Sequence, residues 1–288
     1  RNGAASKNGL SRGNAKKLLS SAHSLVTSNN WDLVVIDPDS EIVETAMLDN
    51  SKNRFSIVGD TSGRMLGPRA RVSSTITTGA TNIATIQNTG VGVTFVGLKI
   101  INSSTVTEGI YSLAEGGEYS LYRNCEIYKD TDLDQTGAAE VLNNGDSVQW
   151  SNCVIGSSAN IITGAILRPC MLLTATLTGK KCRDNIMLDC ILLRKCGDTG
   201  NRFVYGANAT DVERMFYIDR TLFFNNPLSA ATPALGVDFG AAQTEGAVVL
   251  GAACTSVDVT ALGATGKGVY TNAPSSPTYA PSGKAVAS

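Results

Sequence analysis

The chain has 288 residues, 42% of them hydrophobic and only 17% charged, with 24 Lys and Arg against 25 Asp and Glu. This balance lacks the basic excess of a nucleic-acid binder, no apolar run approaches the roughly 20 residues of a membrane helix, and the length suits one large β domain. No signal peptide is visible in a chain that begins with Arg1, which leaves a removed leader open. The polar stretch RNGAASKNGLSRG reads as an arm. Residues 14–28, NAKKLLSSAHSLVTS, place Leu18, Leu19, Ala22 and Leu25 at helical spacing with Asn14 as N-cap, and predict a helix. In WDLVVIDPDSEIVE, the Val34-Val35-Ile36 run meets an Asp-Pro turn and predicts a strand and a bend. The basic cluster GRMLGPRAR reads as a solvated loop.

From there to residue 226 the chain consists of short strand-like pieces, and five of them align without gaps. They are FVGLKI from Phe95, YRNCEI from Tyr122, WSNCVI from Trp150, MLDCIL from Met187 and YIDRTL from Tyr217, with a fainter copy from Phe55. The third positions, Gly97, Asn124, Asn152, Asp189 and Asp219, are 27, 28, 37 and 30 residues apart. A unit of this length without room for a regular helix predicts a β-solenoid. Gly, Asn and Asp at the third position predict a left-handed bend. The next position then points inward and stacks Leu98, Cys125, Cys153 and Cys190 as a core ladder. The seven cysteines contain no C-x-x-C and are expected to be reduced core thiols. Arg220 conflicts with the ladder, because it falls in the inward slot, where a lone charge is costly. The 37-residue interval requires an insertion of about ten residues, expected within TGAILRPCMLLTATLTGKK.

The phrases RNCEI and SNCVI resemble the NC-x-I phrase of right-handed parallel β-helices of the pectin-lyase-like type. The resemblance covers residues 31–226, and a helix before the first coil is similar to the cap of that superfamily. It implies an all-β, single right-handed parallel β-helix with an N-terminal helical cap and an extended C-terminal arm. The expected division is 1–30 for arm and cap, 31–226 for the β-helix, and 227–288 for terminal strands and arm. Polysaccharide lyases, glycosidases, esterases, adhesins and phage virion proteins all use this fold, so the resemblance does not select a function.

Candidate chemistry is sparse. His23, the sole histidine, lies in the cap segment, reads as a helix-surface or cap residue, and leaves no Ser-His-Asp triad. Asp130, Asp132, Asp134 and Glu140 form an acidic run that departs from a calcium loop at Gln135 and Val141. It reads as a solvated loop, with a loose cation site or a glycosidase pair as alternatives. Resemblance to pectate lyases implies an Arg or Lys base near such acids, and Arg123 and Lys129 lie near the run. No family catalytic motif surrounds them, so no catalytic residue, cofactor or metal ligand is assigned.

Strand alternation turns two columns outward: Lys99, Glu126, Val154, Ile191 and Thr221, and Ile101, Tyr128, Gly156, Leu193 and Phe223. They become apolar up the stack, which marks Ile101, Tyr128, Val154, Ile191, Leu193 and Phe223 as an interface, covered by the chain itself or by another subunit. The expectation is a non-enzymatic structural protein on the capsid surface of a tailed-phage virion, a homotrimeric decoration or cement protein bound to the major capsid protein. No nucleic-acid or membrane partner is expected. The alternative is a carbohydrate-active β-helix, either a tailspike-like depolymerase or a lyase.

Overall fold

The computed structural model describes residues 8–9, 15–59, 70–75, 83–104, 110–131, 137–158, 167–174, 179–196, 199–226 and 231–271. Every strand pairs in parallel with the strand three elements later, so the chain winds through three sheets in turn. Among the described residues, sheet I has nine strands, from Leu33–Val35 to Val269–Thr271. Sheet II has eight, from Glu41–Glu44 to Thr255–Val257, and sheet III has eight, from Leu48–Asn50 to Ala261–Gly263. The expected all-β parallel β-helix is therefore present. Among the described residues no helix is long and apolar enough to cross a membrane.

The turn from sheet I to sheet II sets the register. Gly97, Asn124, Asn152 and Asp189 adopt φ of 64°, 54°, 54° and 56°, as their position in the repeat predicts. Side chains also pair up the stack, with Asn152 Nδ2 donating to Asn124 Oδ1 at 2.6 Å. The next residue enters the core, and Leu98, Cys125, Cys153 and Cys190 are all buried. The thiols donate to carbonyls of the turn they follow: Cys125 to Arg123, Cys153 to Ser151 and Cys190 to Leu188, at 3.4, 3.4 and 3.2 Å. From Cys125 upward the slot thus holds a small side chain with a weak donor, which explains why cysteine recurs there.

The fifth repeat corrects the sequence alignment by one residue. Met187 pairs with Ile218, not Tyr217, so the turn residue is Arg220, with φ of 46°. Its guanidinium points outward to Asp189, at 2.6 and 2.9 Å, which removes the buried lone charge. Thr221 takes the inward slot, and its hydroxyl donates to Asp219 O at 3.0 Å, as the thiols do below it. Phe223, expected on the outer face, is instead fully buried and packs edge-on against Phe203 at 5.7 Å. The faint lower copy begins at Ile57, which pairs with Phe95, so its turn residue is Gly59.

Like residues stack inside. Phe95, Tyr122 and Trp150 lie nearly parallel, with centroids 4.8 and 4.3 Å apart. Val72, Ile100, Ile127, Ile155 and Leu192 continue a second interior column on sheet II. The extra residues of the long interval are divided between the connections on either side of Met171–Leu173. Winding does not stop at 226: strands Leu235–Phe239, Gly246–Leu250, Thr255–Val257, Ala261–Gly263 and Val269–Thr271 extend all three sheets. The segment expected as terminal strands and arm supplies inward Val237, Val248 and Leu250. Residues 272–288 lie outside the described residues, as does Asn14.

The lower end is closed by a helix of five residues, Leu19–His23, much shorter than the spacing predicts. Leu19 and His23 point into the coil, whereas Leu25 is exposed. His23 is therefore a buried plug residue, not a surface one.

At the corner from sheet III to sheet I a polar ladder runs inside the core. Asn50 Nδ2 donates to Asn88 Oδ1 at 2.6 Å, and Asn88 Nδ2 donates to Glu115 Oε2 at 2.8 Å. Glu115 also accepts from the Tyr122 hydroxyl and from Gly117 N–H. Burial pushes the Glu115 carboxyl up to about 7, against the pull of its donors.

Two predictions follow from these interiors. All seven cysteines are free and buried, so native protein should resist thiol alkylation and all seven should react in denaturant, as mass spectrometry would show. Glu115 holds its proton more tightly folded than unfolded, so its contribution is full at low pH and lost as pH rises from about 4.5 to about 7. Denaturant melts should show wild type losing a few kcal/mol across that window relative to Glu115→Gln, whose amide does not titrate.

Candidate functional site

The outer face of sheet II divides into two halves. In the lower half, register stacks Glu41, Arg71, Lys99 and Glu126 on successive rungs, with charges that alternate in pairs. Arg71 bonds Glu41 at 3.3 Å and Lys99 bonds Glu126 at 3.1 Å. In the adjacent column Tyr128 lies partly exposed, with the Lys99 ammonium 5.9 Å from its ring centroid. Burial, then the nearby Glu126 charge, raises the Tyr128 phenol above its usual range. Asp130 follows the end of the same strand: its carboxylate accepts from Ser103 at 2.8 Å and lies 3.8 Å from Arg71. Tyr128 is thus an aromatic platform ringed by Arg71, Lys99, Glu126 and Asp130, a combination suited to a polar, ring-shaped ligand.

Above this level the face turns apolar, as Ile191, Leu193, Leu222 and Phe224 replace the charges, all partly buried. Of the residues proposed as an interface, Ile101 and Val154 are buried outside the core cluster, while Tyr128, Ile191 and Leu193 are partly buried. Phe223 drops out because it belongs to the core.

The acidic run is pulled apart. Asp130 faces outward beside Arg71, but Glu140 turns into the corner between sheets II and III. There Glu140 accepts from Arg194 Nη1 at 2.8 Å and from Lys129 N–H at 2.7 Å. Side-chain exposures of 1% and 3% make the Arg194–Glu140 pair a structural one. Lys129 lies in the same corner, where burial and then Arg168 push its ammonium down to about 8. Glu140 is therefore unavailable to a sugar. Glu126 and Asp130 lie four residues apart, about 13 Å along extended backbone, with Tyr128 between them. Asp132, Asp134 and Gln135 lie outside the described residues. Arg123 is exposed on sheet I, on a different face from Asp130.

Sequence reading missed Arg71, which it assigned to a basic loop. Extending the outward column one rung below Lys99 would have found it. No local signal marks Arg194, which meets its partner 54 residues away.

No protein-family model matches the sequence, and no curated protein matches it. Solved structures do match in shape. A pectin methylesterase from Aspergillus niger aligns over 96% of this chain and 88% of its own, with a TM-score of 0.54 and 11% identity. A pectin methylesterase variant in complex with a hexasaccharide aligns over 94% and 89%, with a TM-score of 0.52 and 11% identity. Carrot pectin methylesterase aligns over 90% and 85%, with a TM-score of 0.48 and 14% identity.

The expectation of a non-enzymatic protein is overturned by these matches. The structures that share the fold are enzymes, and a missing family motif is no argument against catalysis at such low identity.

The buried pair yields a direct test. Glu140→Gln should leave the Arg194 charge uncompensated and cost about 3 to 5 kcal/mol in urea unfolding. Adding Arg194→Met should recover part of that loss.

Taken together, the interior ladders, the three parallel sheets and the shared shape give this chain the pectin-lyase-like parallel β-helix fold.

Proposed function

We propose that this chain is a carbohydrate-active β-helix that binds an oligosaccharide along the lower outer face of sheet II. The observation that carries the reading is Tyr128 among Arg71, Lys99, Glu126 and Asp130. A partly exposed aromatic ring offers an apolar surface to a sugar face, and the flanking charges offer donors and acceptors to its hydroxyls. Rungs repeat at about 4.8 Å, so the polar groups form a row along which a chain molecule can lie. Support also comes from a solved structure of the same fold, which is a complex with a hexasaccharide.

The test is an oligosaccharide panel scored for binding and for release of reducing ends or ester groups. Tyr128→Ala should weaken binding at least tenfold, while Val257→Ser, on the upper half of the face, should leave it unchanged. If no saccharide in the panel binds or is altered, the reading fails.

A second reading rests on the upper half of the same face, where Ile191, Leu193, Leu222 and Phe224 present an apolar strip. Such a strip suits contact with another subunit, as in a homotrimeric decoration protein bound to the major capsid protein of a tailed-phage virion. Copurification with a shell protein supports this reading, and recovery of a monomer bound only to glycan counts against it.

A further inference from the structure

The lower end of the β-helix holds the one histidine of the chain inside a directional hydrogen-bond chain. Asn50 Oδ1 accepts from Lys52 N–H at 2.9 Å, while Asn50 Nδ2 donates onward to Asn88. With Asn50 so oriented, His23 Nε2, 2.8 Å from Asn50 Oδ1, must carry the proton. The order of donation is His23 to Asn50 to Asn88 to Glu115. Any further proton on the ring must go to Nδ1. The ring packs tilted against Phe55, with centroids 5.5 Å apart, and only 8% of the residue is exposed.

We propose that this arrangement makes the N-terminal cap a pH-sensitive plug: acidification charges His23 inside the closed end and releases helix 19–23 from the first coil, while the coils above stay wound.

Buried Leu19 and Val26 and a handful of side-chain bonds hold the cap to the first coil. Its helix has five residues and no side-chain N-cap. Ser20 donates to Glu44 through N–H at 3.1 Å and through its hydroxyl at 2.8 Å. The Lys52 ammonium donates to the carbonyls of His23, Ser24 and Val26, at 2.7, 3.2 and 2.6 Å. An imidazolium formed here would face that ammonium across a short segment. The coils above, by contrast, are tied by ladder bonds on three sheets.

The charged groups facing His23 are Lys52 and Asp49, and Glu44 faces the helix one turn earlier. Burial holds the His23 imidazole below its ordinary value and Lys52 lowers it further, against the opposing pull of Asn50 and Asp49. The released cap therefore takes up a proton before the docked cap does. Docking is strongest above the free value of 6.5 and weakens as pH falls below it. This is the reverse of the Glu115 dependence, so the two ends of the chain titrate with opposite effects. Release would uncover Leu19 and Phe55 and the lowest strand edges, which are ready to pair with another chain.

Hydrogen exchange of the full chain tests the proposal. The amides of Ala22, Ser24, Leu25 and Val26 are bonded within the cap, and those of Val154 and Ile191 within the ladder. After correction for intrinsic rates, protection of the cap amides should fall severalfold, up to about tenfold, between about pH 7.5 and about pH 5.5, while ladder amides lose none. His23→Gln, which keeps a donor to Asn50 without a titrating ring, should abolish the step. Glu44→Gln should retain it, and Asp49→Asn, on the exposed side, should deepen it. The proposal is overturned if cap protection does not change, if ladder amides lose protection equally, or if Asp49→Asn leaves the step unchanged.

Discussion

The structure depends on one backbone constraint, the left-handed residue between sheet I and sheet II. It bends the chain through a corner in a single residue, at φ between 46° and 64° from Gly97 to Arg220. Because these five coils bend at the same place, the next residue enters the core at the same height. Its thiol or hydroxyl can then reach the turn's own carbonyl, as Cys125, Cys153, Cys190 and Thr221 all do. Corner, slot and rung spacing are a single constraint. Loops between coils can vary in length without disturbing it, and the long coil between Asn152 and Asp189 keeps its register despite its extra residues.

Polar groups occupy the other two corners of the section. One corner carries the His23 to Glu115 chain, the other the Arg194–Glu140 pair with Lys129. A triangular coil cannot fill its corners with branched aliphatic side chains alone, since the backbone there has carbonyls and N–H groups to satisfy. These networks meet that need at the cost of titratable groups held far from their ordinary behaviour. Buried and exposed charges therefore separate in space: the buried carboxylates and cations hold corners, and the outward face of sheet II carries charges that reach solvent. The solved structures of the same shape are pectin methylesterases, and at 11% identity the likeness extends to the fold alone.

Much of the architecture was legible in the repeat itself. The aromatic, the bend residue and the cysteine recur at a period too short for a helix-containing unit, and they specify a parallel coil with Leu98, Cys125, Cys153 and Cys190 in one slot. The fifth copy misled because Tyr217-Ile218-Asp219 resembles the earlier phrases one residue out of phase. Only pairing with Met187 shows that Arg220, an unfavourable residue for a left-handed turn, takes the corner. Terminal strands were expected after residue 226, but that they continue the coils was not legible, because alanine and glycine carry little hydrophobic periodicity.

Sequence alone determined the fold, through a period, a bend and an alternating inward pattern, all of which are local properties of neighbouring residues. Tertiary structure alone decided which acids reach solvent. Asp130 and Glu140 belong to one acidic run, yet one faces solvent and the other is buried against Arg194. The reason is physical: whether a carboxylate is available depends on the groups that winding brings against it from other rungs, and no run of adjacent letters records that.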